Sequence, residues 1–185
     1  MFQLARCAAL LLLLWRPALG GFFSKRKVLI GELTFDSCSA APGDDPVQFW
    51  DVAVRTTDEG DLLVSGSMRN FVELRSPLKA SVSMKRNILG LWVPVPCIKD
   101  FGSCDFEDLC SYAVSPAVQC IPLLDEHDVP CHCPVEEGVY TLPSGQFRVS
   151  GTRWAGVLAG RYKGTVTFSR GGQRLACYNA SFTLE

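Results

Sequence analysis

The residues in this chain whose types and spacing could do chemistry are its cysteines and its two histidines. Six of the nine cysteines fall between Cys97 and Cys133, and His127 and His132 lie among them. Cys131-His132-Cys133 offers thiolate and imidazole ligands. A zinc site, however, wants two such groups, each spaced by about two to four residues, and the second group is missing. His127-Asp128 offers a base and an acid, but it stands in Asp125-Glu126-His127-Asp128-Val129-Pro130, a run that reads as an exposed polar loop. No serine occupies a Gly-x-Ser-x-Gly elbow. Asp44-Asp45, Asp58-Glu59 and Glu136-Glu137 are flanked by turn residues and read as solubilising charge, not as a glycosidase pair. The chain is therefore poor in catalytic material. No catalytic residue, metal or cofactor is assigned.

Disulfide chemistry fits the cysteines better. Cys7 belongs to a removable leader, which leaves Cys38, Cys97, Cys104, Cys110, Cys120, Cys131, Cys133 and Cys177. An even set in a short chain behind a secretion signal reads as four bridges formed in an oxidising compartment. Spacing alone leaves their connectivity open. If Cys38 paired with Cys177, the closed loop of about 140 residues would contribute on the order of 5 kcal/mol in the chain-entropy model.

The leader, residues 1–20, has Arg6 in its n-region, an apolar core from Cys7 to Trp15, a break at Pro17 and the small-residue cut site Ala18-Leu19-Gly20. The core is far shorter than the ~20 residues of a membrane-spanning helix. Without the leader the chain has 16 basic and 19 acidic residues, a net charge of −3. That balance gives no reason to expect a nucleic-acid partner, and Lys25-Arg26-Lys27 reads as a solvated terminus. Residues 21–185 suit a single domain.

Outside the cysteine block the pattern has period two, the mark of half-buried strands. Leu78, Ala80, Val82 and Met84 alternate with Lys79, Ser81, Ser83 and Lys85. Tyr162, Val166 and Phe168 alternate with Lys163, Thr165, Thr167 and Ser169, and Gly171-Gly172 then makes a hairpin turn. Residues 28–35, 47–55, 62–68 and 140–149 add further strands. Asp105 to Tyr112, with Phe106, Leu109 and Cys110 at helical spacing, reads as one short helix. The expected fold is all-β: an antiparallel β-sandwich or cup with one short helix and a disulfide-stapled Cys/Pro-rich segment.

Two apolar runs stand where polar loops are expected. One is Ile88-Leu89-Gly90-Leu91-Trp92-Val93; the other, between Gly151 and Gly160, holds Trp154, Ala155, Val157 and Leu158. They either fill the core between the sheets or rim an open cavity and touch membranes.

Several longer stretches carry a family likeness. Gly90-Leu91-Trp92-Val93-Pro94-Val95-Pro96-Cys97, Gly102-Ser103-Cys104-Asp105-Phe106-Glu107-Asp108-Leu109-Cys110 and Pro130-Cys131-His132-Cys133-Pro134 resemble the lysosomal ganglioside activator family. So do Ser76-Pro77-Leu78-Lys79, the run from Glu137 to Pro143 and the ending around Cys177. The likeness covers nearly all of the chain after the leader. It implies a β-cup enclosing a large apolar pocket. It implies a non-catalytic protein that lifts a ganglioside or related glycosphingolipid from a membrane and presents it to lysosomal β-hexosaminidase A, which cuts the sugar. It implies bridges Cys38–Cys177, Cys97–Cys104, Cys110–Cys133 and Cys120–Cys131. Lipid and membrane contact would fall to Ile88, Leu89, Leu91 and Trp92 in one loop and to Trp154, Val157 and Leu158 in another. Residence in the lysosome, reached through the secretory path, is likewise implied. The family's usual glycosylation position is missing near Gly60-Asp61-Leu62, and Asn179-Ala180-Ser181 offers a different acceptor. The competing readings are a secreted carrier of other cargo (sterol, phospholipid or lipid antigen) and a small secreted lipase.

Overall fold

The computed structural model describes residues 29–57, 60–147 and 159–185. The leader 1–20, the cluster 25–27 and the expected contact residues Trp154, Val157 and Leu158 lie outside them. Among the described residues nine strands build two antiparallel sheets. They are β1 (Thr34–Ser37), β2 (Val47–Thr56), β3 (Leu62–Asn70), β4 (Lys79–Ile88), β5 (Leu91–Pro94), β6 (Asp105–Phe106), β7 (Gly138–Phe147), β8 (Gly160–Arg170) and β9 (Gln173–Leu184). One sheet runs β1-β9-β8-β4-β5, with β6 also on β4; the other runs β2-β3-β7. The alternation seen in the sequence is what makes β4 a strand with one wet face: Ala80 is buried and Val82 and Met84 half-buried, while Lys79, Ser81, Ser83 and Lys85 are exposed. β8 and β9 join at Gly171-Gly172, whose φ values of 58° and 82° are those of a two-residue hairpin turn that matches strand twist.

The two sheets close on each other at one end. Val47, Leu74, Leu175, Ala176 and Tyr178 are buried together, with Phe35, Phe49, Met68 and Phe168 packed around them. Tyr178 stacks on Phe35 at 4.5 Å between ring centroids. Its hydroxyl accepts the Phe49 N–H at 2.7 Å, a bond that ties one sheet to the other. Further along, burial of the inner positions is partial, with Tyr162 and Leu184 as the exceptions. Leu62 and Val64 share the face of Met68 by alternation, and Val54 and Phe147 are their cross-strand neighbours. On the larger sheet Val82, Met84, Val166 and Phe182 hold inner-face positions. All eight are half-buried.

The cysteine-rich segment closes one side. Four disulfides are present: Cys38–Cys177, Cys97–Cys104, Cys110–Cys133 and Cys120–Cys131. The helix expected over Asp105 to Tyr112 is corrected. Asp105–Phe106 is strand β6, paired with Ala80 and Ser81, and only Leu109–Tyr112 coils, as a 3-10 turn. Asp108 divides the two. Its carboxylate accepts from the Ser76 hydroxyl, from Leu78 N at 3.0 Å and from Cys110 N at 3.0 Å, so it fastens the segment to β4 and caps the turn. The α-helix, α1 (Pro122–Glu126), lies elsewhere, inside what reads as loop; Pro122 stands in its first turn, and it is too short to show a helical period. The strand expected from residue 28 begins at Thr34; before it, Ile30 makes a single bridge to Leu184.

Two outcomes are expected. Replacing both Cys38 and Cys177 by serine frees a loop with a sequence separation of 139 and should lower unfolding free energy, by on the order of 5 kcal/mol at most, read by denaturant titration. The hydrogen bond from Ser76, followed by that from Leu78, holds the Asp108 carboxyl below its usual value of 3.8. A depressed folded-state pKa gives stability that is present above the unfolded value and lost as pH falls through the folded one. Asp108→Asn should therefore lower the melting temperature at neutral pH and flatten its acid dependence below about pH 4.

Candidate functional site

β4 ends at Ile88 and β5 begins at Leu91, so Leu89-Gly90 is the whole turn between them. Both residues are left-handed, with φ of 51° and 90°, and the Gly90 N–H donates to Asn87 Oδ1 at 3.1 Å. Such turns favour Asn-Gly or Asp-Gly. A leucine in this conformation is strained by about 1 kcal/mol. It is also 100% exposed, and the opposed pair beside it, Ile88 and Leu91, is 47% and 73% exposed. The hairpin thus carries three aliphatic side chains into solvent on a strained tip, which neither local propensity nor burial explains.

Trp92 is placed differently. It pairs with Asn87, on the opposite face from the Ile88–Leu91 pair. Lys163 Nζ stands 4.3 Å from the centre of its ring, so the tryptophan flanks the tip on the outer face of the larger sheet. Lys163 is in turn directly opposed to Lys85.

Behind the tip, on the inner face, stands Arg86. Its cross-strand neighbours are Val93 and Tyr162. Its guanidinium carbon lies 5.8 Å from the centre of the Tyr162 ring, and Nη2 donates to the carbonyl of Ala159. Nε is buried and has no hydrogen-bond acceptor among the described residues. Gly160 packs against it: a Cβ there would lie 2.9 Å from Nε. Tyr162 is 1% exposed, stacked on Phe182 at 5.3 Å and met edge-on by Phe101 at 6.0 Å. Burial pushes its phenol pKa up, and the charge of Arg86 opposes the rise. Sequence reasoning missed Arg86. The signal was there: it continues the apolar positions 78, 80, 82 and 84, where a cation has no business in an ordinary core.

The other candidates do structural work. Ligand atoms of Cys120, Cys131 and His132 lie within 4.8 Å of one another, but the two sulfurs are bonded to each other and are not thiolates. His132 Nδ1 donates to the Val114 carbonyl at 2.9 Å, and Nε2 lies 3.7 Å from Cys120 Sγ. His127 ends α1, and Asp128 follows with a φ of 53°, so the pair belongs to a turn. Asn179 is exposed in β9 and its Oδ1 accepts from Thr165 Oγ1 at 2.8 Å. It sits in a shallow polar groove of about 440 Å³ that also holds Lys85, Lys163 and Ser181.

Two sheets joined at one end, a stapled flank and an apolar hairpin tip define a disulfide-braced β-cup with a greasy lip. Comparison with known proteins agrees. The chain is 30% identical over 168 residues to the ganglioside GM2 activator of Mus musculus, spanning 87% of this chain and 86% of that protein. It is 31% identical over 163 residues to the ganglioside GM2 activator of Macaca fascicularis, spanning 84% and 85%. The chain belongs to the ganglioside GM2 activator family. No protein-family model matches it. The crystal structure of a Niemann-Pick type C2 protein from the Japanese carpenter ant aligns with 80% of this chain and 96% of its own, at a TM-score of 0.38 and 15% identity, too loosely to carry an argument.

Replacing Leu89 by asparagine tests the tip. The turn gains a residue suited to its backbone, so a thermal melt should show stabilisation of about 1 kcal/mol. Co-sedimentation with liposomes should fall at the same time, because an apolar anchor is gone.

Proposed function

We propose that this protein is a non-catalytic lipid-transfer protein. It takes gangliosides or related glycosphingolipids out of membranes and presents them to lysosomal β-hexosaminidase A, which performs the hydrolysis. It reaches the lysosome through the secretory path, whose oxidising conditions its four disulfides need. The observation that carries the reading is the exposed, strained tip Ile88-Leu89-Gly90-Leu91 at the end of a strand whose inner positions Val82 and Met84 are only half-buried. Membership of the ganglioside GM2 activator family supplies the lipid class.

Energetics require both parts. A ceramide carries on the order of 30 methylenes, and at about 0.8 kcal/mol each their exposure to water would cost over 20 kcal/mol. Contacts to a headgroup alone cannot meet that. A hollow that re-buries both tails nearly cancels it, and the tip supplies the transient membrane contact through which the tails pass. Leu89 and Leu91 enter the lipid surface, while Trp92, held against Lys163, rests at its edge.

Fluorescent acyl-labelled ganglioside in neutral liposomes gives the test. The purified protein should move it to the soluble fraction well above an albumin control and should speed its cleavage by added β-hexosaminidase A. Leu89→Asp with Leu91→Asp should reduce transfer about tenfold or more at unchanged melting temperature, whereas Trp92→Ala should cost less. Transfer no better than albumin rejects the carrier; transfer without faster cleavage rejects the hexosaminidase partnership; selective uptake of sterol or phospholipid assigns other cargo.

A further inference from the structure

We infer that Asn179 carries an N-linked glycan, which stands over the polar outer face of the larger sheet and makes that face the water-facing back of the protein. The inference rests on the secretory route in the reading above and adds a modification to it. Asn179-Ala180-Ser181 is the one Asn-x-Ser/Thr acceptor in the sequence, since Asn70 and Asn87 are followed two positions on by Val72 and Leu89. β9 is paired on both sides, with β1 and with β8, so what decides the matter is which face the acceptor takes. Asn179 is exposed on the outer face, and Ser181, two residues on, shares that face. Its row across the sheet is Asp36, Asn179, Thr165 and Ser83. The groove of about 440 Å³ at this place is lined by the hydroxyls of Thr34, Ser83, Thr165 and Ser181, partners that suit a sugar. Asn179 Oδ1 accepts from Thr165 Oγ1, while Nδ2, the atom that would bear the sugar, makes no hydrogen bond among the described residues. The folded sheet can therefore carry a glycan here without losing a ladder bond or a core contact.

The transfer joins Nδ2 to C1 of an N-acetylglucosamine. The C1–O bond to a polyprenyl-diphosphate donor breaks, the diphosphate departs, and one amide proton goes to a base of the transferase. It precedes pairing of the strand, because the folded β9 is enclosed by β1 and β8. Once attached, the glycan fixes the face: a slip of one residue would drive it inward to where Tyr178 is buried. Its place also leaves the lip free. Trp92 opposes Asn87, and Ser83, in the row of Asn179, lies four residues before Asn87, about 13 Å along the strand. Leu89 and Leu91 can enter lipid while a bulky, hydrated glycan at Asn179 stays in water, and that bulk keeps the outer face from lying flat on a membrane.

The full chain, expressed with its leader in mammalian cells and recovered from the medium and from lysosomes, is compared before and after peptide N-glycosidase. Its mass should fall by one glycan, and the tryptic peptide from Leu175 to Glu185 should show Asn179 converted to aspartate. Asn179→Gln and Ser181→Ala should each abolish the shift, whereas Ser181→Thr should keep it. Transfer of labelled ganglioside from liposomes should change less than about twofold when the glycan is removed. A larger change overturns the assignment of this face as the back. A secreted chain with Asn179 unmodified overturns the inference and leaves the carrier reading in place. A chain held in the cytosol with its leader attached overturns the secretory route itself.

Discussion

A β-sandwich gains most of its stability by pressing two inner faces together along their length. Here the buried cluster of Val47, Leu74, Leu175, Ala176 and Tyr178 takes up one stretch of the inner faces, and Val54, Val64, Val82 and Met84 are only half-buried. Everything else in the structure follows from that incomplete closure. Apolar contact forgone in the interior has to be replaced, and covalent bonds replace it. Cys38–Cys177 joins the start of the larger sheet to its last strand, and the three bridges between Cys97 and Cys133 fasten the irregular flank. These links stabilise chiefly through the unfolded chain, so they leave the hollow unfilled. A larger core would have closed the space that a lipid needs.

Local costs gather at the hairpin of β4 and β5. Leu89 is held left-handed and bare, and Arg86 keeps a buried N–H without an acceptor. Each is unfavourable in water, and the leucine would lose that cost on entering an apolar phase. Strain of this kind persists only where a rigid surround imposes it. Asn87 imposes it on the turn through Gly90, and Tyr162 imposes it on the arginine.

The sheets were legible because alternation is a local property that needs no knowledge of partners: Lys79 to Met84 and Tyr162 to Ser169 declare a wet face and a dry face residue by residue. The antiparallel cup and its closing hairpin at Gly171-Gly172 follow from that. Family likeness, not spacing, carried the disulfide pairing. Asp105 to Tyr112 failed because its helical spacing of apolar residues is short, and the Asp108 carboxylate breaks it by bonding Leu78 N and Cys110 N across the fold. α1 failed because five residues are too few to show a period. At the lip, the apolar run 88–93 was visible, but its division into a tip and a flanking tryptophan depends on register, which places Trp92 opposite Asn87. Arg86 was visible in parity and went unread, since a single misplaced cation gains meaning only when its neighbours prove apolar.

The bracing of the wall depends little on titrating groups. Its disulfides are indifferent to protonation, and the ion pairs among the described residues, Arg75–Glu73 and Lys79–Glu107, are exposed and contribute little. The carboxylate that does structural work, Asp108, is held below its ordinary value by the donors of Ser76, Leu78 and Cys110, so it stays ionised under mildly acidic conditions. The bracing of the wall is therefore little affected by mild acid.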